Sequence, residues 1–326
     1  MRRTFVLLAV TSVALLIAAS PAVASYAARS APLLWDQQIS SNGNAINVGQ
    51  SAAILDASGT LTSCDNATGD QLCQFGRPTL SPDGRSVIVS RHPQASGASA
   101  AAAGPGTLLL VGTDGSDPRT LAQFTASDTQ PAFLPGGQRI VFTGRPALKS
   151  LSELYEANVD GSGLRQLTSR GGSWAAPCSN GAIIFQRGAD LWLIPAHGNH
   201  WTRFVRGGSQ PDCAPNSRQV VYVISGHSRL TLIGLNGRGA KLVPHGSGAD
   251  EESDRPGTLS SPAFSPDGRN VTYLRTYDVL QQDGSRDELD VSDLSGRIRS
   301  RRDVADQSGG SIGSDAQQSV THYVDW

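Results

Sequence analysis

The chain has almost no net charge and few aromatic residues. Its 27 Lys and Arg residues balance 28 Asp and Glu residues, so charge gives no reason to expect nucleic acid or an anionic membrane as a partner. Aromatic residues make up only 6% of the 326 positions, but 38% of the residues are apolar, which is enough for a buried core. The 36 Gly and 18 Pro residues exceed the average share of about 12% and favour a turn-rich, mostly β protein.

The N-terminal apolar run is too short for an ordinary membrane span. It covers about 15 residues from Phe5 to Ala19, whereas a span usually needs about 20. Arg2 and Arg3 precede it, and an A-x-A sequence at 22–24 follows it, which predicts a secretory signal peptide over residues 1–24. We therefore expect an exported protein of the periplasm, cell envelope or medium. An uncleaved membrane anchor is the alternative, and a lipid anchor is disfavoured because no Cys lies near the cut.

Four cysteines in an exported chain permit disulfides. Cys64 and Cys73 are the favoured pair because they close a short loop of nine positions. For Cys178 and Cys213 two interpretations stay open. They are either two small buried side chains or a bridge, which would require Cα atoms within about 7 Å of each other.

One phrase recurs along the chain. It combines an extended start, a Pro, a tight turn and a second extended run, and one copy is two residues shorter than the others. The five copies are "RPTLSPDGRSVIVS" from 77, "QPAFLPGGQRIVFT" from 130, "AAPCSNGAIIFQ" from 175, "QPDCAPNSRQVVYV" from 210 and "SPAFSPDGRNVTYL" from 261.

Each copy continues with a third strand, a turn that contains Gly, and a short fourth strand. "LYEANVDGS" at 154–162 followed by "LRQLT" at 164–168 is one example. D-G and N-G dipeptides between alternating apolar runs are strong hairpin signals, so each unit is predicted to be a four-stranded antiparallel sheet. Tandem units of about 40–50 residues with four strands are typical of β-propeller blades.

The two ends of the chain supply a further unit between them. "SAAILDASGTLTSC" at 51–64 matches a third and fourth strand without the Pro phrase before it, and "THYVDW" at 321–326 has nothing after it. The C-terminal strand is expected to join the N-terminal strands and seal the ring, which removes free sheet edges. The prediction is an all-β, six-bladed propeller of four-stranded antiparallel blades that occupies residues 25–326 as a single domain.

The repeat resembles the WD40-like motif of TolB-type propellers. Pro82-Asp83-Gly84 and Pro266-Asp267-Gly268 match the phrase P-x-[FW]-S-P-D-G, and the resemblance extends from about residue 32 to Trp326. TolB proteins are periplasmic, six-bladed, non-catalytic binding proteins of the cell envelope. The resemblance therefore implies a scaffold that binds a protein or a small extracytoplasmic ligand.

The acids of the repeated turns have a structural interpretation. Asp side chains accept backbone N–H bonds within turns, so Asp83, Gly84, Asp267 and Gly268 are predicted to be turn residues. Two other copies place Gly136 and Asn216 at the Asp position, which a turn tolerates and a catalytic acid would not.

Three further motifs are interpreted as incidental. Ser311 satisfies G-x-S-x-G but has polar flanks instead of the strand and helix that a nucleophile elbow needs. His197 and His200 lack the third and fourth ligands of a zinc site and are expected at an exposed turn. The acidic loop at 248–257 contains Asp250, Glu251, Glu252 and Asp254 without the alternating spacing of an EF-hand loop.

Two classes of function remain. An exported binding module is favoured, and a propeller enzyme of the lyase or glycosidase type, with its site at the channel mouth, is the alternative. No cluster of carboxylates or His recurs at equivalent repeat positions, so we predict no catalytic residue, metal or cofactor. The expected protein is a monomer with no nucleic-acid partner, and it contacts membrane only through an uncleaved signal segment.

Strand direction predicts which face binds a partner. Strands alternate in direction within a blade, so both kinds of tight turn lie on one face, the tight-turn face. The links between blades and the loops from second to third strands lie on the opposite, long-loop face, and binding residues tend to occupy such loops. The candidate contacts there are Asp128, Gln130, Trp174, Gln210, Arg255 and Tyr277.

Overall fold

The computed structural model of the chain is built from β-strands. None of the residues that it describes lies in a helix, so no helix among them could cross a membrane. The structure describes residues 33–325 except 43–44, 56–60, 64–71, 76–78, 95–104, 113–116, 118, 122, 149, 198–199, 225, 227–228, 245–256, 280–283 and 307–318.

Five of the sheets are antiparallel and four-stranded, as the repeat predicts. The first consists of β25 (Ser319–Asp325), β1 (Leu33–Asn42), β2 (Ala45–Leu55) and β3 (Leu61–Ser63). The second consists of β9 (Ser127–Phe133), β10 (Arg139–Arg145), β11 (Glu153–Asn158) and β12 (Arg165–Gln166). The third consists of β13 (Ser173–Pro177), β14 (Ile183–Arg187), β15 (Asp190–Ile194) and β16 (Thr202–Val205). The fourth consists of β17 (Gly208–Cys213), β18 (Gln219–Ile224), β19 (Leu230–Gly234) and β20 (Lys241–Val243). The fifth consists of β21 (Thr258–Phe264), β22 (Asn270–Val279), β23 (Gly284–Asp293) and β24 (Ile298–Asp306).

The remaining sheet has five strands and corrects the predicted count. It contains β4 (Leu72–Phe75), β5 (Thr79–Leu80), β6 (Ser86–Gln94), β7 (Thr107–Gly112) and β8 (Arg119–Thr120). Both β4 and β5 pair with β6, one along each half of it, because the nine-residue β6 is long enough for two short partners. The structure therefore has five four-stranded blades, and the prediction of six is wrong.

The two ends of the chain meet in one sheet. Strand β25 pairs antiparallel with β1 over seven positions, from Leu33 opposite Asp325 to Ile39 opposite Ser319. Strand β25 also contacts β21 and β22 of the preceding blade. The predicted closure by the C-terminal strand is confirmed in this backbone pairing.

Neighbouring sheets pack face to face through apolar side chains. One such cluster joins Val221 and Leu232 of β18 and β19 to Phe264 and Tyr273 of β21 and β22. Three equivalent clusters join the other neighbouring sheets between β6 and β20. A single blade cannot bury both of its faces, so its stability depends on its neighbours.

Candidate functional site

The first strands of the sheets surround a narrow central cavity of about 100 Å³. Its wall includes Leu80, Ala132, Ala176 and Phe264, one from each of four sheets. Pro215 and Pro266 belong to tight turns, so the cavity extends to the tight-turn face.

Backbone hydrogen bonds hold both kinds of tight turn together on one face. The N–H of Val159, in the second turn of its blade, donates to the carbonyl of Gln138 in the first turn at 3.0 Å. Leu235 and Arg218 make the same bond in the fourth blade at 2.9 Å. The tight-turn face is thus the one that strand direction predicts.

The two S-P-D-G turns are closed by their own side chains. The Ser81 hydroxyl donates to Asp83 Oδ1 at 2.6 Å, and the Arg85 N–H donates to the same oxygen at 3.1 Å. These two bonds, the hydroxyl bond foremost, lower the pKa of Asp83. Gly84 has a φ of 70°, a conformation that favours Gly.

The second S-P-D-G turn repeats this arrangement. The Ser265 hydroxyl donates to Asp267 Oδ1, the Arg269 N–H donates to the same oxygen, and Gly268 has a φ of 67°. Both carboxylates have these partners inside their own turns, which is the arrangement that a turn-stabilising role requires.

A β-bulge recurs in the first strand of four blades. In each, two residues of the first strand lie opposite one residue of the second, and the first of the two has a positive φ. Since non-Gly residues seldom adopt such a φ, its recurrence marks the bulge as a feature of the repeat. The residues and their φ values are Gln130 at 49°, Trp174 at 52°, Gln210 at 49° and Ser261 at 49°.

The bulge explains the Pro of the repeated phrase. Pro131, Pro211 and Pro262 occupy the second bulge position, and Ala175 occupies it in the shortened copy. Proline has no N–H to donate to a sheet, and a bulge is one of the few places in a strand where none is needed.

Glutamine side chains link the bulges of neighbouring blades. The Trp174 N–H donates to Gln130 Oε1 at 3.1 Å, and the Ser261 N–H donates to Gln210 Oε1 at 2.6 Å. Each bond joins a main-chain donor in one first strand to a side chain of the previous blade. Gln130 and Gln210, both predicted partner contacts, therefore already bond to the next blade.

The third blade preserves this link although it has Trp174 where a Gln would be needed. Gln186 of β14 takes over, because its Oε1 accepts the Gln210 N–H at 3.3 Å. The repeat analysis did not single out Gln186. The available signal was Trp174 itself, since an indole has no acceptor oxygen and another residue has to supply one.

Replacing Gln130 by Ala should destabilise the fold. The change removes the acceptor for the Trp174 N–H and for the Thr143 hydroxyl. An unsatisfied buried donor costs about 1–3 kcal/mol, so we expect a loss of that order in the free energy of unfolding, measured by urea denaturation. Gln138→Ala, an exposed position on the tight-turn face, is the matched control and should change it by less than about 0.5 kcal/mol.

Asp128 lies at the start of β9 and is completely buried, with 0% of its surface exposed. Its carboxylate accepts bonds from the Phe124 N–H at 2.7 Å, the Thr125 N–H at 3.0 Å and the Thr125 hydroxyl at 2.5 Å. Burial raises the pKa of Asp128, and the hydrogen bonds partly oppose that shift. These contacts fix the segment that connects β8 to β9, and the Asp128 side chain is therefore not on the surface.

The remaining predicted contacts are only partly visible. Trp174 is half-buried near the start of β13, at the long-loop end of its strand. Tyr277 lies in β22, and its side chain is outside the described part of the structure, as is all of Arg255. A partner-binding role for the six residues stays a prediction.

Several other sequence predictions also fall outside the described residues. They concern the signal segment at 1–24, the Cys64–Cys73 pair, Ser311 and the acidic residues at 250–254. His197 and His200 are described, and both are exposed as expected. Within the described residues, no group of three or more His, Cys, Asp or Glu side chains could hold a metal ion.

Cys178 and Cys213 form a disulfide between neighbouring blades. Their Cα atoms are 5.3 Å apart, within bonding range, and both side chains are buried beside Ala176 and Tyr222. The interpretation as two separate small core residues is therefore wrong. The bulged first strands approach closely enough for a bridge, which the sequence alone left open.

Blade β21–β24 contains buried charges that the sequence analysis did not identify. Arg275 of β22 pairs with Glu288 of β23, and its Nε lies 3.9 Å from Asp290. All three side chains are at most 6% exposed.

Solved structures place the fold among TolB-like β-propellers. The chain aligns with a protein described as a TolB from Agrobacterium tumefaciens at 15% identity and a TM-score of 0.57, covering 90% of this chain and 99% of that one. It aligns with TolB from Acinetobacter baumannii at 16% identity and a TM-score of 0.59, covering 85% of this chain and 64% of that one. At such identities the likeness shows the fold alone.

Other solved structures also align. A prolyl endopeptidase matches at 13% identity and a TM-score of 0.50, and the chain covers 42% of that protein. No family model and no curated protein matches the sequence. The TolB-like propeller fold is supported, whereas the WD40-like motif stays an interpretation of the sequence.

Proposed function

We propose that the protein is an exported, non-catalytic scaffold that binds a protein or extracytoplasmic ligand on its long-loop face. The observation that carries this proposal is the difference between the two faces. On the tight-turn face, turns bond to one another, as in the contact between the Ser179 and Ser217 hydroxyls at 2.6 Å. Strand direction assigns the segments that differ in length between blades to the other face, and Gln130, Gln210 and a disulfide join the blades that carry them.

Export is supported by the disulfide and by the fold. Disulfides persist in oxidising compartments and are rare in the cytosol. The Cys178–Cys213 bridge therefore fits the predicted signal segment and a periplasmic, envelope or secreted location.

The peptidase among the similar structures does not carry an enzymatic proposal. The chain covers 42% of that protein, and an alignment at 13% identity shows the fold alone. The chain covers 99% and 64% of the two TolB-like structures, which favours a binding role.

The proposal can be tested with variants on opposite faces. A photo-cross-linker at residue 277 should capture a partner from envelope extract. Trp174→Ala, Arg255→Ala and Tyr277→Ala should then weaken binding to that partner by about tenfold or more where the residue is an anchor, measured by surface plasmon resonance.

The control variants are Asp83→Ala and Asp267→Ala. They should lower the melting temperature and leave affinity unchanged. Loss of affinity in these turn variants at unchanged stability would place the site on the tight-turn face. Asp128, Gln130 and Gln210 are unsuitable for this scan because their replacement removes hydrogen bonds within and between blades.

A further inference from the structure

A groove of about 520 Å³ runs between the second and third blades on the tight-turn face. Its floor is apolar and includes Leu134, Leu167, Ile183 and Ile194. Ten of its fifteen lining residues are exposed, so the groove is open along its length. Sites for small molecules usually enclose most of the ligand surface, whereas an open groove fits a segment of a longer chain.

Two arginines form one wall of the groove. Arg139 at the start of β10 and Arg165 at the start of β12 both pair with the carboxylate of Glu156, one with each oxygen. Glu156 is 10% exposed, while the Arg139 and Arg165 side chains are 53% and 64% exposed. Among the described residues, Glu156 is the only acidic one that lines the groove, so the two guanidinium groups leave a surplus positive charge there.

The pairing with Glu156 also prepares the arginines for a ligand. A guanidinium has five N–H donors in a fixed plane, and one carboxylate oxygen engages only part of them. Glu156 thus orients both planar groups at the groove edge without using all of their donors. Their exposed N–H groups match the geometry of a second carboxylate.

We propose that this groove binds an extended peptide segment in which an acidic residue is flanked by apolar side chains. The apolar residues contact the floor at Ile183 and Ile194, and the acidic side chain lies between Arg139 and Arg165. The site is on the opposite face from the docking surface proposed above and does not depend on it.

The test uses a fluorescein-labelled hexapeptide that alternates Leu and Glu, and the same peptide with Gln in place of Glu. We expect fluorescence anisotropy to show that the intact protein binds the Glu peptide at least tenfold more tightly than the Gln peptide. Arg139→Gln and Arg165→Gln should each weaken binding of the Glu peptide about tenfold, as expected for loss of one charge-assisted contact. Raising the salt concentration should weaken it further.

The fourth blade supplies matched controls. Arg218 and Arg238 are exposed arginines on the same face but outside the groove. Arg218→Gln and Arg238→Gln should change affinity for the Glu peptide less than twofold. If they weaken binding as much as Arg139→Gln and Arg165→Gln do, the attraction comes from the overall positive charge of the face, and the proposal is overturned. The triple variant Arg139→Gln, Glu156→Gln, Arg165→Gln leaves no unpaired buried charge, so it tests the site even if the single variants fold poorly.

Two further results would overturn the proposal. One is equal affinity for the Glu and Gln peptides, which would remove the role of the arginines. The other is competition by hexanoate at the same concentration as the peptide, which would make the ligand a small carboxylate.

Discussion

A chain that ends at residue 320 should melt at a much lower temperature than the full-length protein. The truncation removes five of the seven pairings between β25 and β1, from Gln37 opposite Thr321 to Leu33 opposite Asp325. At about 1 kcal/mol for each net backbone hydrogen bond, the loss is on the order of 5 kcal/mol. For a protein of this size we expect a fall in melting temperature of about 8 °C, measured by calorimetry.

The same truncation should promote aggregation, because β1 becomes an uncovered sheet edge. Light scattering during heating measures this effect. A synthetic peptide of residues 319–326 added in trans is the control, and it should restore part of the lost stability by occupying the vacant edge. An unchanged melting temperature without the peptide would show that the ring does not depend on the C-terminal strand.

Much of the fold can be predicted from the sequence because each blade uses the same local chemistry. Turn residues such as Asp83 and Gly84 mark the hairpin between first and second strands, and Pro131 marks the bulge. These features depend on neighbours in sequence, so a single chain reveals them. The closing strand also follows from the repeat, since the incomplete units at the two ends complement each other.

The errors arise where contacts between distant residues decide the outcome. The division of a first strand into β4 and β5 depends on the length of β6, which turn residues do not indicate. Asp128 is an exception, since its partners Phe124 and Thr125 lie only four and three positions before it, yet its carboxylate is buried at the start of β9. Gln186 replaces a missing acceptor in another strand, and only the three-dimensional arrangement shows that relation.

Loss of the Cys178–Cys213 disulfide should have the second large effect on stability. The disulfide joins first strands of neighbouring blades across 35 positions of sequence, a loop long enough for its closure to lower the entropy of the unfolded chain substantially. The entropic model gives about 3–4 kcal/mol for a loop of this length. Replacing both Cys178 and Cys213 by Ala should therefore lower the melting temperature by about 5–6 °C under oxidising conditions.

Reduction and a second pair of variants separate this bridge from other effects. Dithiothreitol should lower the melting temperature of the wild-type protein to near that of the Cys178→Ala, Cys213→Ala variant. Any further fall in the melting temperature of that variant on reduction measures the contribution of a bridge between Cys64 and Cys73. The Cys64→Ala, Cys73→Ala variant is the matched control and should retain the sensitivity that the inter-blade bridge confers. If the Cys178→Ala, Cys213→Ala variant melts with the oxidised wild type, the bridge contributes no stability, and the packed faces and the inter-blade hydrogen bonds are sufficient to hold the blades together.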